Sequence, residues 1–183
     1  MFKESDILNE RTSKILREPS EEVTFPMEKH DKKLMQDMIE YLRLSQDEEY
    51  AEKNHIRAGM GLAGVQLGIK KRFFVISYKM EDGSFIEYKV INPKITSHSE
   101  EQIYVEEGEG CLSVTHDREG IVPRFARVTV EFQNDEGKVI TERVREEIAV
   151  AFQHEIDHLN GIVYIDKIDR NNPYKDADKM RAI

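Results

Sequence analysis

The sequence predicts an α+β chain in which helices and hairpin-linked strands share one core. Three observations carry that reading. Leu34, Met38 and Leu42 recur at every fourth position between about Glu28 and Leu44, and Met35 and Ile39 widen the stripe. That pattern marks a helix with one face in a core. Two runs rich in Phe, Val, Ile and Tyr, 72–78 and 85–91, flank Glu81-Asp82-Gly83-Ser84 and read as a hairpin. A second helical segment, about Glu146 to Asn160, carries Gln153-His154-Glu155-Ile156-Asp157-His158.

The remaining elements follow in chain order. Residues 1–26 read as extended and irregular, because Pro19 and Pro26 interrupt any helix. The acidic run Gln46-Asp47-Glu48-Glu49 reads as solvated. Gly59 to Gly68 holds four glycines in ten residues. It lacks the Lys-Ser/Thr pair of a phosphate loop and reads as a tight turn into a strand, with Gln66 as its polar side chain. Asn92-Pro93 is expected to end the second hairpin strand, and a short strand follows near Gln102 to Val105. Val128, Val130 and Phe132 alternate, and Asn134-Asp135-Glu136-Gly137 turns into a strand over 138–144. Glu146 and Glu147 suit the positive end of the second helix, and Gly161 suits the position just past its end. Val150 and Ala151 lie one turn before His154, on its face. Ile162 to Ile165 is expected to form a last strand, and the polar tail from Asp166 to fray. His30, His55, His98 and His116 have no paired spacing and read as surface residues.

Composition narrows the class. The chain has 183 residues, 39% hydrophobic and 34% charged, which suits one domain with a real core. Apolar runs such as Phe73-Phe74-Val75-Ile76 are too short to span a bilayer. Met1 to Asp6 lacks the apolar core of a signal peptide, so a cytoplasmic protein is expected. The net charge is −9 and no basic block stands out, which disfavours direct DNA or RNA binding. Cys111 is the one cysteine, so no intrachain disulfide can form. A lone cysteine is usually a small buried hydrophobe. Beside a metal-type helix, a ligand role gains weight.

The histidine pair supplies that helix. On one turn, His154 and His158 can hold one metal ion, with Glu155 beside it to move protons. A surface helix that happens to carry two histidines is the plain alternative. A third ligand must then be found. The zincin peptidase pattern His-Glu-x-x-His-x-x-Gly-x-x-His matches as far as Gly161, but Tyr164 fills the last place. Asp166 and Asp169 lie in a polar stretch without a supporting pattern. Cys111 is the better candidate, because a thiolate is a strong ligand for iron or zinc. One cysteine and two histidines leave a fourth position open, as catalytic sites do.

Three stretches in order, Gly59-Met60-Gly61-Leu62-Ala63-Gly64-Val65-Gln66, Glu109-Gly110-Cys111-Leu112-Ser113 and Gln153 to His158, resemble the motifs of the peptide deformylases. Lys14-Ile15-Leu16-Arg17 is a weaker echo, and residues 45–58 resemble the longer subtype typical of Gram-positive bacteria. The resemblance covers nearly the whole chain, 1–183, as one catalytic domain. Its fold would be mixed or antiparallel sheets wrapped around a central metal-binding helix. It implies hydrolysis of the N-formyl group from the formyl-methionine of new polypeptides, with release of formate. Cys111, His154 and His158 would bind one divalent metal, Fe²⁺ in the cell, with Zn²⁺, Ni²⁺ or Co²⁺ able to replace it. Glu155 would move protons, and the Gln66 side chain and Leu112 N–H would donate to the oxyanion. Gly59 to Gly61 would pair with the peptide, and Met60, Leu112, Val150 and Ala151 would line the methionine slot. Glu109 and Arg124 would brace the cysteine loop. The partners implied are formylated peptides and nascent chains at the ribosome, with no DNA and no membrane, for a monomer.

The chain departs from the family at Gly64-Val65, where Ala-Pro is usual. Without the proline ring and with an added glycine, the loop is expected to be looser and to order on binding. That departure motivates a second reading, a paralogue that binds formylated peptides without turning them over. Endopeptidase activity of the zincin kind is a third.

Overall fold

The structure, a computed structural model, describes residues 2–116 and 118–183. Among the described residues there are three α-helices, α1 (Lys29–Ser45), α2 (Glu48–Asn54) and α3 (Glu146–Leu159), and eight strands. The strands are β1 (Gly61–Ala63), β2 (Phe73–Lys79), β3 (Phe85–His98), β4 (Gln102–Tyr104), β5 (Arg124–Phe125), β6 (Arg127–Gln133), β7 (Val139–Arg145) and β8 (Arg181–Ala182). Five of them form an antiparallel sheet in the order β1-β2-β3-β6-β7. The other three, β5-β4-β8, form a mixed sheet in which β4 and β8 are parallel. Among the described residues, no helix is long and apolar enough to cross a membrane.

The run Phe73 to Ile76 is continuously apolar because β2 is covered on both faces. Successive side chains of a strand point to opposite sides. Phe73 and Val75 pack with Met35, Met38, Ile39 and Leu42 of α1. Phe74 and Ile76 join Ala149, Phe152 and Ile156 of α3. The Phe152 ring meets Phe74 edge-on at 5.5 Å and Tyr88 at 5.1 Å. The sheet is thus the layer between two helices, and α3 is buried from Ala149 to Leu159.

Both ends of α3 are tied down. Gly161, at φ 75°, closes its C-terminus: Gly161 N–H donates to His158 C=O at 3.1 Å and Ile162 N–H to Asp157 C=O at 2.9 Å. The Arg72 guanidinium donates to Leu159 C=O at 3.1 Å, placing a cation at the negative end of the helix. At the other end, Arg181 of β8 pairs with Glu146 at 2.8 and 2.9 Å.

Several elements differ from the sequence reading. Asn92-Pro93 does not end β3, which runs on to His98 through an irregularity between Ile91 and Lys94. Asn92 takes φ 51° and bonds Val23 through both its side-chain atoms, so the prolyl nitrogen sits at a bulge that needs no ladder donor. Ile162 to Ile165 does not form a strand. Tyr164–Asp166 is a 3₁₀ turn, closed by Val163 N–H on Asp166 Oδ2 at 3.0 Å. The tail does not fray: Ile183 N–H donates to Tyr104 C=O at 3.0 Å, and Glu106 N–H returns to Ile183 C=O at 3.0 Å. Gln46 is not solvated. Its amide donates to Leu42, Gly59 and Ser77 carbonyls at 3.1, 3.0 and 2.7 Å, and Asp47 beside it caps α2.

The loop at Gly64 is not slack either. Residues Gly64–Leu67 form a buried 3₁₀ turn, and a Cβ on Gly64 would lie 2.6 Å from Phe73 Cζ. Close packing against β2, not freedom in the unbound loop, is what the glycine serves here. Gly64→Ala should therefore lower stability, by about 1–3 kcal/mol as overpacking does. Adding Phe73→Leu should recover part of the loss. Urea denaturation midpoints read both, and an unchanged midpoint for Gly64→Ala would contradict the packing account.

Candidate metal centre and its cleft

α3 sets His154 and His158 one turn apart, and the loop before β5 brings Cys111 to them. The three ligand atoms lie within 4.8 Å of one another, and Cys111 Sγ is 3.3 Å from His158 Nε2. The His154 ring is oriented from behind. Its Nδ1 is 2.8 Å from Glu109 Oε2, which leaves Nε2 for a ligand. Tyr164, buried, stacks on the other side of that ring at 5.9 Å. A half-buried cysteine sulfur and two buried imidazoles are a donor set that suits zinc or iron, so the residues present fit a divalent metal. Asp166 is engaged instead by Arg17 and the Val163 N–H, and Asp169 bonds Asn171 and Asn172.

Glu155 faces the same space. It is 3% exposed, and its Oε2 is buried with no hydrogen-bond partner. Burial pushes its carboxyl up to about 7. A carboxyl with that value and a free oxygen is poised to take and return a proton. Gly61 makes room for it: a Cβ there would come within 2.9 Å of Glu155 Cδ. Gln66, 1% exposed, is locked by Ala63 N–H on its Oε1 at 2.8 Å. Its Nε2 reaches Ser113 Oγ at 3.0 Å and Cys111 Sγ at 3.7 Å.

An ionic network underlies the centre. Arg124 donates to both oxygens of Glu109 at 2.7 and 2.9 Å, and its other arm reaches Asp157 Oδ2 at 2.5 Å. Lys167 adds a contact to Asp157 at 3.1 Å. Burial would raise the Glu109 carboxyl, but Arg124 and His154 outweigh it and hold it at about 2. Burial also opposes charge on His154, yet Cys111 and Glu109 raise it well above the usual imidazole range. His158 goes the other way, lowered by burial and then by the charges of His154 and Arg124.

Above the centre opens a cleft of about 470 Å³. Gly59, Met60, Gly61, Leu112, Val150 and Ala151 all border it, as do Gln66 and Glu155. His30, His55, His98 and His116 are exposed. Four residues of the site were missed by the sequence reading. Asp157 completes the Arg124 network, and Gln153 holds β5 through both Phe125 backbone groups at 2.9 Å. Ser113 accepts from Gln66, and Arg57 lies at the cleft rim. Gln153, Asp157 and Ser113 sat inside motifs already singled out, so their position was the available signal. Arg57 carried none.

A buried helix bearing two histidines and a glutamate, with a cysteine loop docked on it, defines a metal-dependent hydrolase. The family model for polypeptide deformylase matches residues 6–174. Peptide deformylase 2 of Bacillus subtilis is 45% identical over 168 residues, covering 92% of this chain and 91% of that one. The peptide deformylase of Shouchella clausii is 44% identical over 176 residues, 96% of each. Among solved structures, the peptide deformylase of Thermotoga maritima matches with TM-score 0.69 and 33% identity, covering 89% of this chain and 96% of that one. A probable peptide deformylase from Synechococcus phage S-SSM7 matches with TM-score 0.71 and 37% identity, covering 88% and 97%. The chain belongs to the polypeptide deformylase family.

Arg124→Leu should test the network beneath the centre. It strands the Glu109 carboxylate, which is buried to 4% exposure. The loss expected is about 3–5 kcal/mol of unfolding free energy, as for a buried pair missing one partner. A loss below about 1 kcal/mol, from urea titration, would mean that the carboxylate finds water or another partner.

Proposed function

We propose that the chain hydrolyses the N-formyl group from formyl-methionyl peptides, releasing formate, with Cys111, His154 and His158 as its metal ligands. One observation carries the assignment: the donors of these three residues lie within 4.8 Å of one another, and two of them, Cys111 and His154, line the same cleft as Glu155 with its unpartnered oxygen. A divalent metal held there supplies Lewis acidity and lowers the pKa of water. Glu155 accepts the proton of the attacking water and returns it to the leaving amine. Gln66 Nε2 and the Leu112 N–H donate to the oxygen that becomes negative in the tetrahedral intermediate. Met60, Leu112, Val150 and Ala151 receive the methionine side chain, and Gly59 to Gly61 pair with the peptide backbone as an added strand. Glu109 holds the His154 tautomer, with Arg124 holding Glu109 in turn.

Residues 1–183 form one catalytic domain that acts as a monomer in the cytoplasm, on nascent chains at the ribosome, without DNA or membrane contact. The resident metal in the cell is Fe²⁺, which Zn²⁺, Ni²⁺ or Co²⁺ can replace.

Formate release from formyl-Met-Ala-Ser by Ni²⁺-loaded protein is the test. Turnover that disappears on chelation and returns with metal is expected. Binding without formate would favour the non-catalytic paralogue, and internal peptide cleavage the zincin reading. Two substitutions separate the roles. Cys111→Ala should lose metal by elemental analysis. Glu155→Ala should keep one metal per chain and lose about 10²–10⁴ in kcat. Full metal content in the first, or kcat within tenfold of the parent in the second, would remove that residue from its role.

A further inference from the structure

Arg57 borders the cleft, and the mechanism above gives it no part. Its guanidinium contacts three carbonyls and a carboxylate. Nη1 donates to Val114 C=O at 2.8 Å and to Cys111 C=O at 3.4 Å, and Nη2 donates to Leu112 C=O. Nε donates to Glu4 Oε1 at 2.7 Å. The Arg57 backbone N–H reaches Glu4 Oε2 at 2.8 Å, and the buried Tyr41 hydroxyl donates to that same oxygen at 3.3 Å. Glu4, in the N-terminal 3₁₀ turn, therefore holds the arginine from behind while its fork grips three carbonyls of the cysteine loop.

The grip reaches the chemistry through one peptide unit. A peptide is planar and trans, so the C=O of Cys111 and the N–H of Leu112 lie in one plane and point in opposite directions. Fixing the oxygen aims the N–H. Val114 N–H holds the same oxygen at 3.0 Å. Among the described residues, Leu112 N–H donates to no protein acceptor, so it is left for a ligand. A cation on the oxygen side also polarises the amide and strengthens its donor end.

We propose that Arg57 is a positioning residue: its guanidinium fixes the Cys111–Leu112 peptide so that the Leu112 N–H faces the reacting carbonyl, and Glu4 braces it. This rests on the hydrolase reading given above. The Arg57 and Glu4 side chains are 43% and 22% exposed, so their ion pair adds little global stability. Its effect belongs in kcat and in local motion of the loop.

The test compares Ni²⁺-loaded parent with Arg57→Ala, Arg57→Lys and Glu4→Gln. Two readouts are followed: kcat and KM on formyl-Met-Ala-Ser, and hydrogen exchange of the amides at residues 111–114. Arg57→Ala should lower kcat by about tenfold to hundredfold, within the cost of losing an oxyanion donor. KM should stay within threefold, with one metal per chain. The loop amides should exchange at least tenfold faster while those of α3 do not change. Lysine, a single point donor, should fall between alanine and the parent, and Glu4→Gln should give a smaller loss in the same direction. Millimolar guanidinium ion should restore part of kcat to Arg57→Ala and leave the parent unchanged. Unchanged loop exchange overturns the proposal whatever the activity, as does a kcat within twofold of the parent. If the parent releases no formate while the variant loop exchanges faster, the grip stands and the hydrolase reading falls instead.

Discussion

The Glu109–Arg124–Asp157 network is what permits α3 to be central. A helix buried on all sides is ordinarily apolar. Here it brings Gln153, His154, Glu155, Asp157 and His158 into the interior. Unpaired, such groups would cost several kcal/mol each. Arg124 meets two carboxylates, one from the cysteine loop and one from α3, and Glu109 passes the interaction on to His154. One guanidinium thereby joins the loop that carries Cys111 to the helix that carries both histidines. Gln153 closes the same joint from above by holding the Phe125 backbone, next to Arg124 in β5.

That joint also explains which group is left over. With Glu109, Asp157 and Gln153 satisfied, Glu155 is the buried carboxylate on α3 that, among the described residues, has no ion-pair partner. Gly61 gives it space and desolvation raises its pKa. On α3 itself Gln153, His154 and Asp157 each have a hydrogen-bond partner, while Glu155 keeps one buried oxygen without one. Glycine does separate work at its two nearby positions. At 61 it admits the carboxylate, and at 64 it admits the Phe73 ring.

The parts legible in sequence were those with strong local periodicity. The α1 stripe, the 72–78 and 85–91 hairpin and the His154/His158 pair are short-range patterns, and each declares itself within a few residues. The parts that were not legible depend on distant partners. β3 runs through Asn92-Pro93 because Val23 accepts and donates to the asparagine. The C-terminal residues are ordered by Tyr104, Glu101 and Glu146. Gln46 looks like one member of an acidic run, yet it bridges α1, the Gly59 loop and β2. Gly64 looked like slack in the loop because the ring that fills its place comes from a strand nine residues on. Arg57 has no motif, since its partners are backbone carbonyls that any sequence would offer.

The central claim is that one thiolate and two imidazoles from Cys111, His154 and His158 hold a single metal at the foot of the cleft. X-ray absorption at the zinc edge of Zn²⁺-loaded protein tests it most directly. The account predicts one sulfur at about 2.3 Å and two imidazole nitrogens at about 2.0–2.1 Å per zinc. The fourth scatterer should be a light atom from water. A shell of nitrogen and oxygen alone, with no sulfur, would place the metal elsewhere and contradict the account.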